Sequence, residues 1–121
     1  MNPFVDIPEN RIILATDLFV VIEDQYPVSP GHCLIISKSQ AETFFDLSPE
    51  EQQALASLIP RVRSLIEESH QPDGYNLGMN CGESAGQSVM HFHCHVIPRY
   101  SGDMENPKGG IRHCIPNKGL Y

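Results

Sequence analysis

The sequence predicts an α+β fold, an antiparallel sheet of about five strands with one long helix packed on one face. Three observations carry this. Short β-branched runs recur between Pro- and Gly-bearing turns. One segment repeats apolar residues at helical spacing over about three turns. Strands and helices do not alternate as a parallel βαβ sheet would require.

The elements follow in chain order. "RIILA" (Arg11–Ala15) and "FVVIED" (Phe19–Asp24) are short, apolar and β-branched, and read as strands. "YPVSPG" (Tyr26–Gly31) supplies two prolines and a glycine for a turn. "HCLIIS" (His32–Ser37) is the third strand, so strands two and three should form an antiparallel hairpin. "QAETFFDL" is expected to form a turn of helix. The long helix follows, with Ser48 as N-cap, Pro49 in the first helical position and Glu51 closing a capping box. Its stripe, Leu55, Leu58, Ile59, Val62, Leu65 and Ile66, is most simply the face packed on the sheet. Pro60 removes a backbone donor inside the stripe, which predicts a kink or local break. Asp73–Gly74 marks a turn, "YNLGMNC" (Tyr75–Cys81) the fourth strand, and "GESAGQS" (Gly82–Ser88) a loop. "VMHFHCHVIP" (Val89–Pro98) is the fifth strand, with Pro98 helping to end it.

Composition narrows the function. A length of 121 residues with 40% apolar content suits one domain with its own core. No run reaches the length of a membrane helix, so no membrane partner is expected. "MNPFVDIPENR" lacks a basic region followed by an apolar run, so no signal peptide is expected and a cytoplasmic location is the default. The four cysteines, Cys33, Cys81, Cys94 and Cys114, form no CxxC pair and read as reduced. A net charge of −7 disfavours nucleic acid as a partner. From Pro98 onward, however, Arg99, Lys108, Arg112 and Lys118 outnumber Asp103 and Glu105, so this segment is locally basic. It reads equally as a place for a small polyanion or as a solvated tail.

"MHFHCHVIPRY" (Met90–Tyr100) is the chemically dense stretch. Alternation on a strand puts His91, His93 and His95 on one face and Met90, Phe92, Cys94 and Val96 on the other. The apolar face should meet the core, which leaves the histidines lining a groove. A polar face that holds histidine by chance is one explanation. A zinc site is a second, because imidazole is a common ligand, although no carboxylate or CxxC partner lies nearby. Covalent phosphoryl or nucleotidyl chemistry is the third, because a neutral imidazole is a good nucleophile near neutral pH. The preceding "GQS" (Gly86–Ser88) adds amide and hydroxyl groups that suit phosphate oxygens.

"GQSVMHFHCHVIPR" (Gly86–Arg99) resembles the signature of the histidine triad (HIT) family of nucleotide hydrolases and transferases. "PVSPGHCLIISK" (Pro27–Lys38), "DLSPEE" and "NLGMNCGESAG" are similar to further family segments in the same order. The resemblance covers roughly residues 10 to 100 and leaves 100–121 as the variable segment where the family selects its second substrate moiety.

The resemblance implies a nucleotide hydrolase that cleaves at the α-phosphate through a covalent nucleotidyl-histidine. His93 would attack, and His95 would contact phosphate oxygens and manage charge. His91 and His32 would orient the pocket, with His32 also on the substrate side. Gln87 and Ser88 would meet phosphate and leaving group. Asp24 would bind ribose, Ile22 and Leu34 would line the base pocket, and Asn80 would reach ribose or phosphate. Arg99, which closes the signature, also falls to the substrate. Strand parity agrees in placing Ile22 with Asp24 and His32 with Leu34 on shared faces. The resemblance further implies a homodimer and no resident cofactor or metal, any divalent cation arriving on the substrate's oxygens. Dinucleoside polyphosphates are the favoured substrates because of the basic tail. Adenosine 5′-phosphoramidates, or nucleotide binding without catalysis, are the alternatives.

Overall fold

In a computed structural model, which describes residues 2–121, five strands form one sheet in the order β1-β2-β3-β5-β4. They are β1 (Ile12–Ala15), β2 (Phe19–Glu23), β3 (Cys33–Ser37), β4 (Gly74–Gly78) and β5 (His93–Arg99), and every pairing is antiparallel. The single long helix, α1 (Pro49–Glu67), packs on one face.

The helix starts where its capping chemistry dictates. Glu51 N–H donates to Ser48 Oγ at 3.1 Å, and Ser48 N–H donates back to Glu51 Oε1 at 2.8 Å. Leu55, Leu58, Val62 and Ile66 are buried against Phe19, Val21, Cys33, Ile35, Cys94 and Val96 from the sheet and against Phe92 just before β5. The expected break at Pro60 does not occur, because the helix runs through it to Glu67. "QAETFFDL" forms a short 3-10 turn at Phe44–Asp46, capped by Thr43.

The opposite face carries a second apolar cluster. Ile22, Leu34 and Ile36 are buried there beneath Phe4, Ile7, Ile12 and Val20. The N-terminal segment therefore lies across the sheet face away from the helix. Cross-strand register arranges that outer face in rows. Val20, Ile36 and His93 form one row, and Ile22, Leu34, His95 and Gly78 form the next. Asn76 and Ile97 continue the face beyond it.

Most strand limits differ from the sequence expectation by a single residue, and three of the differences bear on the site or on Pro98. β5 begins at His93, not Val89, because Phe92 N–H donates to Ala41 O at 2.8 Å and draws the chain out of the sheet ladder. Met90 is consequently 46% exposed rather than part of the core. β4 ends at Gly78, which puts Asn80 and Cys81 in the loop. Pro98 does not end β5. The pairing with β3 has already stopped at Val96, so the strand is one-sided there and tolerates a residue without an N–H. All four cysteines are free, and burial pushes the thiols of Cys33 and Cys94 up to about 11, which suits inert core positions.

Candidate active site

The outer face of β5 and the elements around it fix each histidine in one tautomer. His93 Nδ1 lies 2.8 Å from the His91 carbonyl oxygen. A carbonyl only accepts, so Nδ1 carries the hydrogen and Nε2 keeps its lone pair. His91 is buried, 2% exposed, beneath Asn2 and Phe4 on the same side of the sheet as His93. Its Nε2–H donates to Ser37 O at 2.7 Å, and its Nδ1 accepts from Asn2 Nδ2 at 3.0 Å. Both nitrogens are thereby engaged within the protein.

His95 is set by a longer chain. Val28 N–H donates to His32 Nδ1 at 3.1 Å, which places the His32 hydrogen on Nε2. His32 Nε2–H then faces His95 Nδ1 at 2.9 Å and Asp24 Oδ2 at 3.4 Å. His95 accepts at Nδ1 and so carries its own hydrogen on Nε2. Burial, with help from His32 and His93, lowers the His95 pKa to about 4 despite Asp24. Burial also lowers that of His32 against the pull of Asp24. Around neutral pH both rings are neutral, and His95 offers a hydrogen-bond donor. A free lone pair on His93 and a donor on His95 sit on neighbouring rings, with centroids 5.4 Å apart. One can attack phosphorus and the other can hold a phosphate or leaving oxygen.

Asp24, His32 and His95 also bring one possible ligand atom each within 4.8 Å of one another, a set that could close on a divalent cation. The hydrogen bonds above already account for their arrangement.

The remaining expected site residues divide. Ser88 and Asn80 are exposed, with no protein hydrogen bond to their side chains among the described residues. Gln87 is different, because its amide is consumed internally. Its Nε2 donates to Glu42 O at 2.6 Å and Val89 O at 3.1 Å, and its Oε1 accepts from Gly82 N–H at 2.8 Å. It holds the 82–89 loop in place instead of facing a phosphate. Arg99 is likewise occupied. Nε and NH2 grip Asp103 at 2.9 and 2.8 Å, and NH1 donates to Asn76 Oδ1 at 2.6 Å, so it buttresses the tail rather than presenting a free charge. Ile22 and Leu34 do share the outer face, but at 2% and 5% exposure they are core residues sealed under the N-terminal segment, not walls of an open groove. Lys108 and Arg112 lie over the Tyr121 ring at 5.0 and 4.7 Å, folded into the tail.

Sequence reasoning missed the residues that close and open this face. Phe4 packs its ring 4.9 Å from that of His93, and its N–H donates to Asn2 Oδ1 at 2.9 Å. The apolar pair Phe4 and Ile7 was the available signal, in a stretch read only for targeting. On the other side of His95 an open recess of about 360 Å³ is bounded by residues of β4, β5 and the tail. Gly78 pairs directly with His95, and an added Cβ there would meet nothing within 4 Å. A glycine facing a functional side chain was the signal for this recess.

A HIT domain model matches residues 7–102. The chain belongs to the HIT family. Among its relatives, AP-4-A phosphorylase of Mycobacterium tuberculosis is 32% identical over 84% of this chain and 55% of its own length. Bis(5′-adenosyl)-triphosphatase of Dictyostelium discoideum is 36% identical over 83% of this chain and 67% of its own. A HIT family protein from Bacillus anthracis superposes with a TM-score of 0.72 at 36% identity, covering 76% of this chain and 65% of that one. The chain spans 55% to 75% of the length of the first curated relatives it matches. No helix among the described residues is long and apolar enough to cross a membrane. The α+β sheet-and-helix architecture is that of the HIT fold.

Proposed function

We propose that this HIT protein is a nucleotide hydrolase acting on dinucleoside polyphosphates through a covalent intermediate on His93. The observation that carries the reading is the His93 hydrogen bond to the His91 carbonyl, which puts the neutral ring's hydrogen on Nδ1 and its lone pair on Nε2. Nε2 forms a bond to the α-phosphorus as the bond from phosphorus to the bridging oxygen breaks. The departing polyphosphate receives hydrogen-bond support from His95 Nε2–H. A phosphate beside His95 also favours its protonated form, which makes a proton available to the leaving oxygen. Water then attacks the phosphorus and passes its proton to His95, which replaces the one given to the leaving oxygen, as the N–P bond breaks and a nucleoside monophosphate leaves with His93 regenerated. Ser88 and Asn80 are the free polar groups left to meet the non-bridging oxygens, and the Asp24 carboxylate accepts ribose hydroxyls. Relatives named for diadenosine polyphosphates support this substrate class.

One observation favours a second reading. Lys108 and Arg112 are folded onto Tyr121, so two of the three cations of residues 100–121 are already engaged within the tail. That suits a short leaving group, as in an adenosine 5′-phosphoramidate. Rapid quenching with each substrate, followed by mass analysis of the peptide that bears His93, tests both. An acid-labile nucleotidyl adduct is expected in the native protein and not in His93→Ala. Turnover by His93→Ala at the native rate would refute the mechanism, and the substrate that builds up adduct faster decides between the readings.

We also propose a homodimer formed through the free edge of β4, an unpaired strand edge that carries the half-exposed Leu77. Light scattering across a dilution series should return twice the chain mass of 13.5 kDa. A monomer mass at high micromolar concentration would exclude it.

A further inference from the structure

We propose that Ser29 is a positioning residue for the reaction. It pins the β2–β3 turn to the end of β5, and the pinned turn keeps the hydrogen of His95 on Nε2, where the leaving oxygen needs it. This rests on the hydrolase reading above.

The turn itself is local. Ser29, Pro30, Gly31 and His32 close it, with His32 N–H donating to Ser29 O at 3.2 Å. Pro30 stands at its second position, and Gly31 supplies the positive φ, 90°, at its third. What fixes the turn in space is β5. The β3–β5 pairing ends with Cys33 opposite Val96, so the β5 edge beyond Val96 is left to the turn. Arg99 O accepts from Asp73 N–H on the β4 side, so the preceding carbonyl, Pro98 O, points the other way. Ser29 Oγ donates to that carbonyl at 2.6 Å. Tyr100 OH adds a second staple, donating to Pro30 O at 2.7 Å. The fit is close, because a Cβ on Gly31 would lie 3.2 Å from Ile66 Cγ2 and 3.3 Å from Pro98 Cγ.

The pinned turn delivers one donor. Val28 N–H, next to Ser29, donates to His32 Nδ1 at 3.1 Å. A donor aimed at Nδ1 excludes a hydrogen there, so the hydrogen of neutral His32 stays on Nε2. It then has two acceptors, His95 Nδ1 at 2.9 Å and Asp24 Oδ2 at 3.4 Å. Facing His95, it holds that ring's own hydrogen on Nε2. When His95 gains a proton on Nδ1 beside a bound phosphate, the His32 hydrogen turns to Asp24. Without the Val28 donor, His32 is free to carry its hydrogen on Nδ1, and its bare Nε2 then draws the His95 hydrogen to Nδ1. His95 would meet the substrate with a lone pair. That opposes the electron pair left on the bridging oxygen as its bond to phosphorus breaks. Ser29 touches no reacting atom, since its hydroxyl is engaged by Pro98 O, and it acts through Val28, His32 and His95.

The test separates this role from folding by changing the leaving group. Rapid quenching would follow nucleotidyl transfer to His93 in the native protein, Ser29→Ala, Ser29→Thr and Tyr100→Phe. The substrates are a dinucleoside tetraphosphate and a nitrophenyl ester of a nucleoside monophosphate, whose leaving oxygen needs no proton. Nitrogen NMR shifts of the imidazoles would report the tautomers of His32 and His95 in the free protein. Ser29→Ala should slow adduct formation from the tetraphosphate about threefold to tenfold, the size of one neutral hydrogen bond. With the ester it should stay within about twofold of native. The His95 Nδ1 signal should move toward the hydrogen-bearing position. Ser29→Thr, which keeps the hydroxyl, should restore both readouts, and Tyr100→Phe should shift them in the same direction as Ser29→Ala. Equal slowing on the two substrates, or slowing with unchanged imidazole shifts, would show a merely structural role and overturn the proposal. So would native rates and shifts in both Ser29→Ala and Tyr100→Phe. Native protein that forms no adduct with either substrate overturns the hydrolase reading instead, and the imidazole shifts still decide whether Ser29 sets the tautomer.

Discussion

The two sides of the outer sheet face are built from the same strands yet have opposite fates. On one side Ile22, Leu34 and Ile36 are closed over by Phe4, Ile7 and Ile12. On the other, Gly78, Asn76 and Ile97 face a recess, and its rim residue Ile111 stays exposed. The strands do not differ in kind. What differs is the segment laid over them, an apolar N-terminal strap on one side and a Gly-rich tail standing off on the other. The tail is held by its own contacts. His113 Nε2 donates to Lys108 O at 2.9 Å, and a Cβ on Gly109, which sits at φ 92°, would run into the Gly119 carbonyl. The triad lies on the seam, with His93 under Phe4 and His95 beside the recess. Substrate selection is therefore expected on the open side and stability on the closed one.

That comparison can be broken or sharpened by mutation. The largest effect belongs to the seam itself, where His93→Ala should lower kcat at least about a thousandfold while leaving the denaturation midpoint nearly unchanged. A matching fall in stability would mean the ring serves packing instead. Next, Ile36→Ala on the sealed side should cost about 2–5 kcal/mol in urea unfolding, whereas Ile111→Ala on the open side should stay within about 0.5 kcal/mol. Similar losses at the two would erase the distinction between the sides.

A pH effect comes third. His95 has a folded pKa of about 4 against an unfolded value near 6.5. Between those values the unfolded chain binds more protons, so stability rises with pH across the window and falls as the solution is acidified through it. Unfolding free energies at pH 7 and pH 4.5 should show this loss, and His95→Asn should flatten it. An unchanged slope in the variant would place the titration elsewhere. The smallest effect is Ser48→Ala, which removes the helix cap on the far face. It should cost about 1 kcal/mol and leave kinetics on every substrate as they were. A change in KM would show that the helix face communicates with the site.

Much of this was legible in order along the chain. The capping box at Ser48 and Glu51, the helical stripe and the β2–β3 hairpin follow from local chemistry, and local chemistry is what a sequence displays. The alternation in β5 also held where the strand exists, with Cys94 and Val96 inward and His93 and His95 outward. It failed at Met90, which was expected on the core face and is exposed. The alternating pattern there fits a strand equally well, but Phe92 N–H is claimed by Ala41 O, a partner 51 residues away. The partners of Gln87 and Arg99 were not legible for the same reason. Their side-chain types suit phosphate, and only their distant partners, Glu42 O, Asp103 and Asn76, show them occupied.

By itself the sequence determined which chemistry is present: three histidines at strand spacing, a helix to back the sheet, and loops to carry the free hydroxyl and amide. Periodicity and capping act over a few residues, so they can be read from order alone. The tertiary structure decided which nitrogen of each histidine is free, which charged groups are spent on each other, and which side of the sheet is open. Those outcomes depend on pairs such as Asn2 with His91, Val28 with His32, and Gly78 with His95. The chain brings the first and last of these pairs together only by folding, and the second only by shaping its β2–β3 loop.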